Sequence, residues 1–242
     1  MELERKENAI SIHDLTLKYS EVKRNIRSPL GKRISINGLS GINIDIPVGQ
    51  NTALIGKNGA GKSTLIKAIG GYLRPEIGHI FVKGKVITLA GVNPGFQRNL
   101  SSYWNVKKLG IAYGISKEEI DKFSKEIEDF ASIGDAYYRQ FGGLSTGMRG
   151  KVGFGFITAL QPNILLIDET LGVGDIEFRQ KASGRLKDFI DRSGTVLIST
   201  HSLGLAKSMC SHGIYLEGGE VRMYGEIENV VNKYSRGLTS GG

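Results

Sequence analysis

The sequence predicts an α/β fold, a mainly parallel sheet with helices on both faces. Two observations carry that expectation. A glycine-rich loop, Gly56-Lys57-Asn58-Gly59-Ala60-Gly61-Lys62-Ser63-Thr64, stands between a short apolar run at 52–55 and a segment at 65–69 whose apolar residues recur at helical spacing. Further on, Asn163-Ile164-Leu165-Leu166-Ile167-Asp168 and Gly194-Thr195-Val196-Leu197-Ile198-Ser199-Thr200 are continuous apolar runs, the pattern of strands buried on both faces. With 242 residues, 40% of them hydrophobic, the chain can bury one large α/β core with an inserted subdomain.

Charge and cysteine usage narrow the field. The formal charge of +8 suits nucleic acid, an anionic membrane surface or nucleotide phosphates, and the basic residues are spread without a polybasic tail. Cys210 is the only cysteine, so an intrachain disulfide and a Cys-based zinc cluster are both excluded, as in a reducing cytoplasm. Residues 1–7 are charged and lack the apolar centre of a signal peptide. A run of about 18 apolar residues occurs nowhere, so the expectation is a soluble or peripheral protein.

Taken in order, Ile10-Ser11-Ile12-His13-Asp14-Leu15-Thr16-Leu17 reads as a strand with apolar residues alternating on either side of His13-Asp14. Residues 18–35 hold Lys18, Lys23, Arg24, Arg27, Lys32 and Arg33 around Ser28-Pro29. They read as a solvated loop or short helix, with a docking or membrane-facing element as the alternative. Ile42-Asn43-Ile44-Asp45-Ile46 alternates strictly, and Pro47-Val48-Gly49-Gln50 turns the chain into the strand before the glycine-rich loop. Residues 78–90 give two short strands with Gly84-Lys85 as the turn between them.

From about 105 to 139 the pattern is helical and polar, and it reads as an inserted helical block. Ser116-Lys117-Glu118-Glu119 is a capping box ahead of Ile120, Phe123, Ile127 and Phe130 on one face. The glycines of 150–155 fall inside a helix starting near Met148 and read as close packing, not as a dinucleotide fingerprint. Asp175 caps a helix running to about Arg192, another helix covers 203–210, and Gly218-Gly219 turns a hairpin. Residues 224–234 read as a last helix and 236–242 as a flexible end.

The chemistry converges on the strand ends. G-x-x-x-x-G-K-S between a strand and a helix forms a concave nest of backbone N–H groups backed by a helix dipole, a phosphate cradle. Lys62 would reach β- and γ-phosphates and the Ser63 hydroxyl would ligate Mg²⁺. Asp168 ends a buried strand as a Mg²⁺ partner, and Glu169 can polarise a water for attack on phosphorus; a helix-capping acid pair is the alternative. His201, ending the next strand, can hydrogen-bond the γ-phosphate or that water, with a packed or surface histidine as the alternative.

This ordered set resembles an ATP-binding cassette (ABC) ATPase, over about residues 10–224. Residues 56–63 match the family's Walker A motif, residues 164–168 its Walker B strand, Glu169 its catalytic glutamate and His201 its switch histidine. Leu144-Ser145-Thr146-Gly147-Met148 matches the signature loop, usually L-S-G-G-Q, with Thr146 replacing a glycine and Met148 the glutamine. Leu171-Gly172-Val173-Gly174-Asp175 falls where the D-loop belongs.

The resemblance implies a P-loop NTPase core of the ABC type: a mainly parallel sheet, an antiparallel β subdomain, and an inserted helical subdomain at about 102–160. It implies one such domain over 1–242, with 20–35 as a basic insertion. ATP would be bound by Gly56, Lys57, Asn58, Gly59, Ala60, Gly61, Lys62, Ser63 and Thr64, with Mg²⁺ on Ser63 and Asp168. Gln97, in Asn93-Pro94-Gly95-Phe96-Gln97, is the candidate for the Q-loop glutamine that touches Mg²⁺ and the membrane partner. Tyr19 stands where the adenine-stacking aromatic follows the first strand, a packed strand-end tyrosine being the alternative. Leu144, Ser145, Thr146, Gly147 and Met148 would contact the ATP of a second copy in a head-to-tail homodimer.

Within the family, the basic stretch at 19–33, the short segment between Walker A and the helical block, Ser145-Thr146-Gly147-Met148-Arg149 and the string at 167–175 are similar to ATPase subunits of bacterial polysaccharide exporters. Those exporters move O-antigen, capsule or teichoic-acid polymers. The implied function is to power translocation of a lipid-linked, O-antigen-type polysaccharide. The protein would sit peripherally on the cytoplasmic face of the inner membrane, with two copies of a polytopic transmembrane subunit and no nucleic acid. Some members add a C-terminal carbohydrate-binding sandwich; this chain ends soon after the core, which leaves polymer selection to the partner. The alternatives are a soluble cassette ATPase acting on ribosomes or nucleic acid, or a nucleotide-binding regulator without turnover. The first generally has paired cassettes or a long coiled coil, which this chain lacks; Glu169 and His201 argue against the second.

Overall fold

The computed structural model describes residues 7–25, 28–89, 94–168 and 176–239, with the backbone alone at 19–25, 28–37, 176, 177, 179 and 239. Two compact units emerge: residues 1–88, 163–169 and 194–242, and residues 89–162 and 170–193.

The first unit holds two sheets. β1 (Asn8–Asn25) pairs antiparallel with β2 (Ser28–Pro47) on one side and β4 (Ile77–Val82) on the other, in the order β2-β1-β4. The interrupted alternation around His13-Asp14 is a bulge. Asp14 takes φ 48° and its N–H bonds the Asn43 side chain at 3.0 Å, so Ile10, Ile12, Leu15 and Leu17 are all buried. The second sheet runs β5-β6-β7-β3-β8-β9, from β3 (Asn51–Ile55), β5 (Val86–Leu89), β6 (Ile164–Ile167), β7 (Thr195–Ser199), β8 (His212–Glu217) and β9 (Glu220–Glu226). β6, β7, β3 and β8 are mutually parallel, and β9 returns antiparallel through Gly218 and Gly219, both at positive φ. One apolar cluster joins the two sheets through α1 (Lys62–Ile69), with Leu65, Ile66, Ala68 and Ile69 meeting Ile10, Ile44, Leu54, Leu166 and Leu216. Each such isoleucine or leucine contributes roughly 1.5–3 kcal/mol. Helices α6 (Leu203–Met209) and α7 (Ile227–Thr239) complete this unit.

The second unit contains α2 (Ser102–Ala112), α3 (Ile120–Ala131), α4 (Thr146–Ala159) and α5 (Ile176–Arg192). The capping box is formed: the Ser116 hydroxyl accepts the Glu119 N–H at 3.3 Å and donates to the Glu119 carboxylate at 3.1 Å. Ile120, Phe123, Ile127 and Phe130 are all buried. Gly155 lets α4 approach α3, since a Cβ there would lie 2.9 Å from Phe130. Lys181 of α5 donates to the Phe130 carbonyl at 2.9 Å, closing the C-terminal end of α3. Tyr137 is fully buried, bonded to Ser124 at 3.1 Å, and burial pushes its hydroxyl pKa well up.

Several expectations are corrected. Residues 18–25 and 28–35 are neither loop nor helix: they extend β1 and β2 as a ladder from Lys18↔Asn37 to Asn25↔Ser28. The reason is continuity, because the pairing that begins at Asn8↔Pro47 carries on, through several register shifts, to Asn25↔Ser28. β4 and β5 flank Gly84 as expected but enter different sheets. α4 starts at Thr146, ahead of Met148, because Ser145 caps it. The last helix starts at Ile227, since residues 224–226 stay paired in β9, and it runs to Thr239 through part of the expected flexible end.

Candidate nucleotide-phosphate site

The parallel register decides which residues meet. Leu54 pairs with Ser199 and Ile167 with Ile198, so the chain leaves β3, β7 and β6 at one edge of the sheet. The Thr200 N–H bonds the Leu54 carbonyl at 3.3 Å, continuing that alignment. The glycine-rich loop, Asp168 and His201 therefore emerge at the same edge, the carboxyl ends of parallel strands where α/β sheets bind ligands.

The loop itself is built for close approach. Gly59 and Gly61 take φ 80° and 106°, and a Cβ on Gly56 would lie 2.3 Å from the Leu216 carbonyl oxygen. Ala60 is tied on both sides, its N–H to the Lys57 carbonyl at 3.1 Å and its carbonyl to the Gly219 N–H at 3.0 Å. Gly61 stands at the N-cap of α1 and offers no side-chain cap. The first-turn N–H groups, which have no acceptor within the helix, thus face outward at its positive end. The Lys62 ammonium lies inside the loop, donating to the Gly56 carbonyl at 2.6 Å and the Lys57 carbonyl at 3.2 Å, with the residue 7% exposed. An ammonium held by loop carbonyls, with outward N–H groups, is a binding site for phosphate oxygens.

Ser63 is exposed and Thr64 half-buried in the first turn of α1; Asp168 is half-buried past β6 and His201 exposed past β7. Thr200 fixes the turn beyond β7 by accepting the Ser202 N–H at 3.1 Å, and Ser202 caps α6 through the Leu205 N–H at 3.3 Å. A serine hydroxyl with an aspartate carboxylate is a hard-oxygen donor set of the kind that holds Mg²⁺, so these residues fit that ion. Beside the loop, a hydrogen bond from Tyr215, then Arg222 and Lys57, hold the Glu217 carboxyl below its usual range. The Cys210 thiol is buried and pushed up to about 12, which makes it a poor nucleophile. Glu169 and residues 171–175 lie outside the described residues, as does the Tyr19 side chain; its backbone pairs with Ile36 in the ribbon.

In the second unit, Ser145 caps α4 by accepting the Met148 N–H at 3.2 Å, with Leu144 buried and Thr146 and Gly147 exposed. Arg149 bonds the Thr146 hydroxyl at 3.2 Å. A Cβ on Gly147 would meet only Ser145, at 3.9 Å, so packing within the chain does not require a glycine there. Gln97 is exposed, and its main chain is held by Asn105, a residue that no local sequence pattern marks.

The fold and the loop define a nucleotide-binding α/β cassette. The profile of the ABC transporter family matches residues 39–172, and the chain belongs to that family. A teichoic acids export ATP-binding protein, TagH, of Bacillus anthracis is 35% identical over 200 residues, covering 83% of this chain and 36% of that protein. The protein of the same name from Listeria innocua is 33% identical over 223 residues, covering 92% and 66%. The chain thus spans roughly one third to two thirds of the length of these curated relatives. Among solved structures, a dimeric ATP-binding cassette in a post-hydrolysis state with ADP and Pi superposes with TM-score 0.69 at 22% identity, covering 90% of this chain and 98% of that one. An ATP-binding subunit of an ABC transporter gives 0.72 at 23%, covering 94% and 93%. These likenesses bear on the shared fold.

Proposed function

We propose that this chain is the ATP-hydrolysing subunit of an exporter of lipid-linked cell-surface polysaccharide. The observation that carries the chemistry is the loop at 56–63, with Lys62 held at its centre, Gly61 uncapped, and Asp168 and His201 at the same sheet edge. Relatives named for teichoic acid export, alike over 83–92% of this chain, support a teichoic-acid-type polymer over an O-antigen-type one.

In this reading the Walker A amides and Lys62 bind the β- and γ-phosphate oxygens and neutralise the charge that gathers there during transfer. Ser63, Asp168 and Gln97 would hold Mg²⁺, which would supply further charge neutralisation on the phosphate oxygens. Glu169 orients and polarises the attacking water, and His201 hydrogen-bonds the γ-phosphate. The water oxygen bonds to phosphorus as the bond to the ADP oxygen breaks, and ADP leaves with the electron pair. Tyr19 stacks on adenine. Leu144, Ser145, Thr146, Gly147 and Met148 reach the ATP bound by a second copy; the small Gly147 at the start of α4 suits that approach from outside. Closure of the homodimer on two ATP and its reopening after hydrolysis drive two polytopic subunits on the cytoplasmic face of the membrane. Among the described residues no helix is long and apolar enough to cross a membrane.

The test is purification of the tagged protein from detergent-solubilised membranes of its native host. A stoichiometric polytopic partner is expected, with ATP turnover abolished by Glu169→Gln. Recovery only with ribosomes or DNA would sink the export reading and leave the ATPase standing.

A further inference from the structure

Asn105 lies in the first turns of α2 and is 2% exposed. Its carboxamide makes four hydrogen bonds, all to main-chain atoms upstream. The Oδ1 atom accepts the Gln97 N–H at 2.7 Å, and Nδ2 donates to the carbonyls of Gln97 at 2.9 Å, Ser101 at 3.0 Å and Leu100 at 3.3 Å. One side chain therefore holds both main-chain polar groups of Gln97, the two-point pairing that an antiparallel neighbour makes. The network also fixes the amide orientation, because a flipped carboxamide would set a donor against the Gln97 N–H and an acceptor against three carbonyls.

On the other side of Gln97, Phe96 is buried with its ring 5.0 Å from Phe141 and 5.4 Å from Phe156. Gln97 thus sits between an aromatic anchor and an amide clamp, its main chain fixed and its residue exposed. No other side chain type reproduces the clamp. Aspartate keeps the acceptor but turns negative charge toward three carbonyls, and leucine or alanine loses every bond.

We infer that Asn105 is the positioning residue for Gln97, setting where that side chain is presented to the magnesium-bound nucleotide. The inference rests on the reading of Gln97 as the magnesium-side glutamine. Asn105 acts through Gln97 and touches neither nucleotide nor metal.

A double-mutant cycle separates the two. Purified wild type, Gln97→Ala, Asn105→Ala and the double variant would be compared for thermal midpoint and for ATP turnover across a Mg²⁺ titration. Gln97→Ala is expected to raise the Mg²⁺ half-saturation about tenfold, as losses around a metal site do. Asn105→Ala is expected to raise it similarly, and the double variant to exceed Gln97→Ala by less than about twofold. Fully multiplicative effects, or a loss of kcat at unchanged Mg²⁺ half-saturation, would overturn the positioning role. An unchanged half-saturation in Gln97→Ala would instead overturn the reading of Gln97. Should Asn105→Ala fail to fold, Asn105→Asp takes its place in the same cycle. It keeps an acceptor for the Gln97 N–H but loses the donors to the Gln97, Leu100 and Ser101 carbonyls. It too should raise the Mg²⁺ half-saturation without multiplying the effect of Gln97→Ala. Fully multiplicative effects of this variant count against the inference.

Discussion

Three glycines of the phosphate loop are required for three different reasons. Gly56 is held against β8, where an added Cβ would press to 2.3 Å from the Leu216 carbonyl oxygen. Gly61 combines φ 106° with a Cβ position 2.9 Å from the Gly38 carbonyl oxygen, whereas Gly59 has φ 80° and open space around it. Alanine at Gly59 meets backbone strain alone, about 1–2 kcal/mol. At Gly61 it adds a clash with backbone, and at Gly56 the intrusion is deepest. Urea unfolding without nucleotide should rank the losses Gly56→Ala above Gly61→Ala above Gly59→Ala, and a reversed order would refute this account. The identity of these residues is legible in sequence because a phosphate nest is local: consecutive amides, a lysine and a helix start must be contiguous. Asn105 is not legible, because its value arises only when α2 folds over the main chain of Gln97, eight residues upstream.

At the scale of elements, one substitution should change sign between two helices. In α5, a Cβ added at Gly184 would have nothing within 4 Å, so Gly184→Ala gains helix propensity, up to about 1 kcal/mol. In α4, Gly155→Ala gains the same propensity, but its methyl would lie 2.9 Å from the Phe130 ring. That ring is itself fixed against Phe178 at 5.4 Å and under the Arg185 guanidinium at 4.5 Å. Overpacking of this kind costs about 1–3 kcal/mol, so the net effect is a loss. Thermal melts should show a higher midpoint for Gly184→Ala and a lower one for Gly155→Ala; two shifts of the same sign would contradict the packing argument. The close-packing role of the glycines at 150–155 is readable from sequence, as are β6 and β7, since each depends on a strong local pattern. The extension of β1 and β2 is not. Charged residues at 18–35 hide a strand whose support is the pairing inherited from Ile10, Ile12, Ile44 and Ile46. The start of α7 is hidden likewise, because pairing with β8 holds residues 224–226 extended.

For the molecule as a whole, the distribution of charge is uneven. Residues 18–37 contain six basic residues against the single acid Glu21, a net +5 out of the chain's +8. β4 pairs with β1 only between Ile10 and Thr16, so beyond Leu17 the described part of the hairpin continues as a two-stranded ladder. The register sets Lys23 directly opposite Lys32. Like charges across a ladder are destabilising, and a two-stranded ribbon is marginal by itself, so this pattern does not serve stability. Under the export reading, an anionic membrane surface beside the ribbon would offset the repulsion, at about 1 kcal/mol per basic residue near charged lipid headgroups. Replacing Lys23, Arg24, Arg27, Lys32 and Arg33 by glutamine lowers the net charge to +3, five below the native +8. The variant should keep ATP turnover while its binding to anionic vesicles falls at least about tenfold, and wild-type binding should weaken with salt as the screening length shrinks. Polymer export should drop in parallel. Undiminished export and vesicle binding would remove the membrane role of the ribbon and leave the phosphate site untouched.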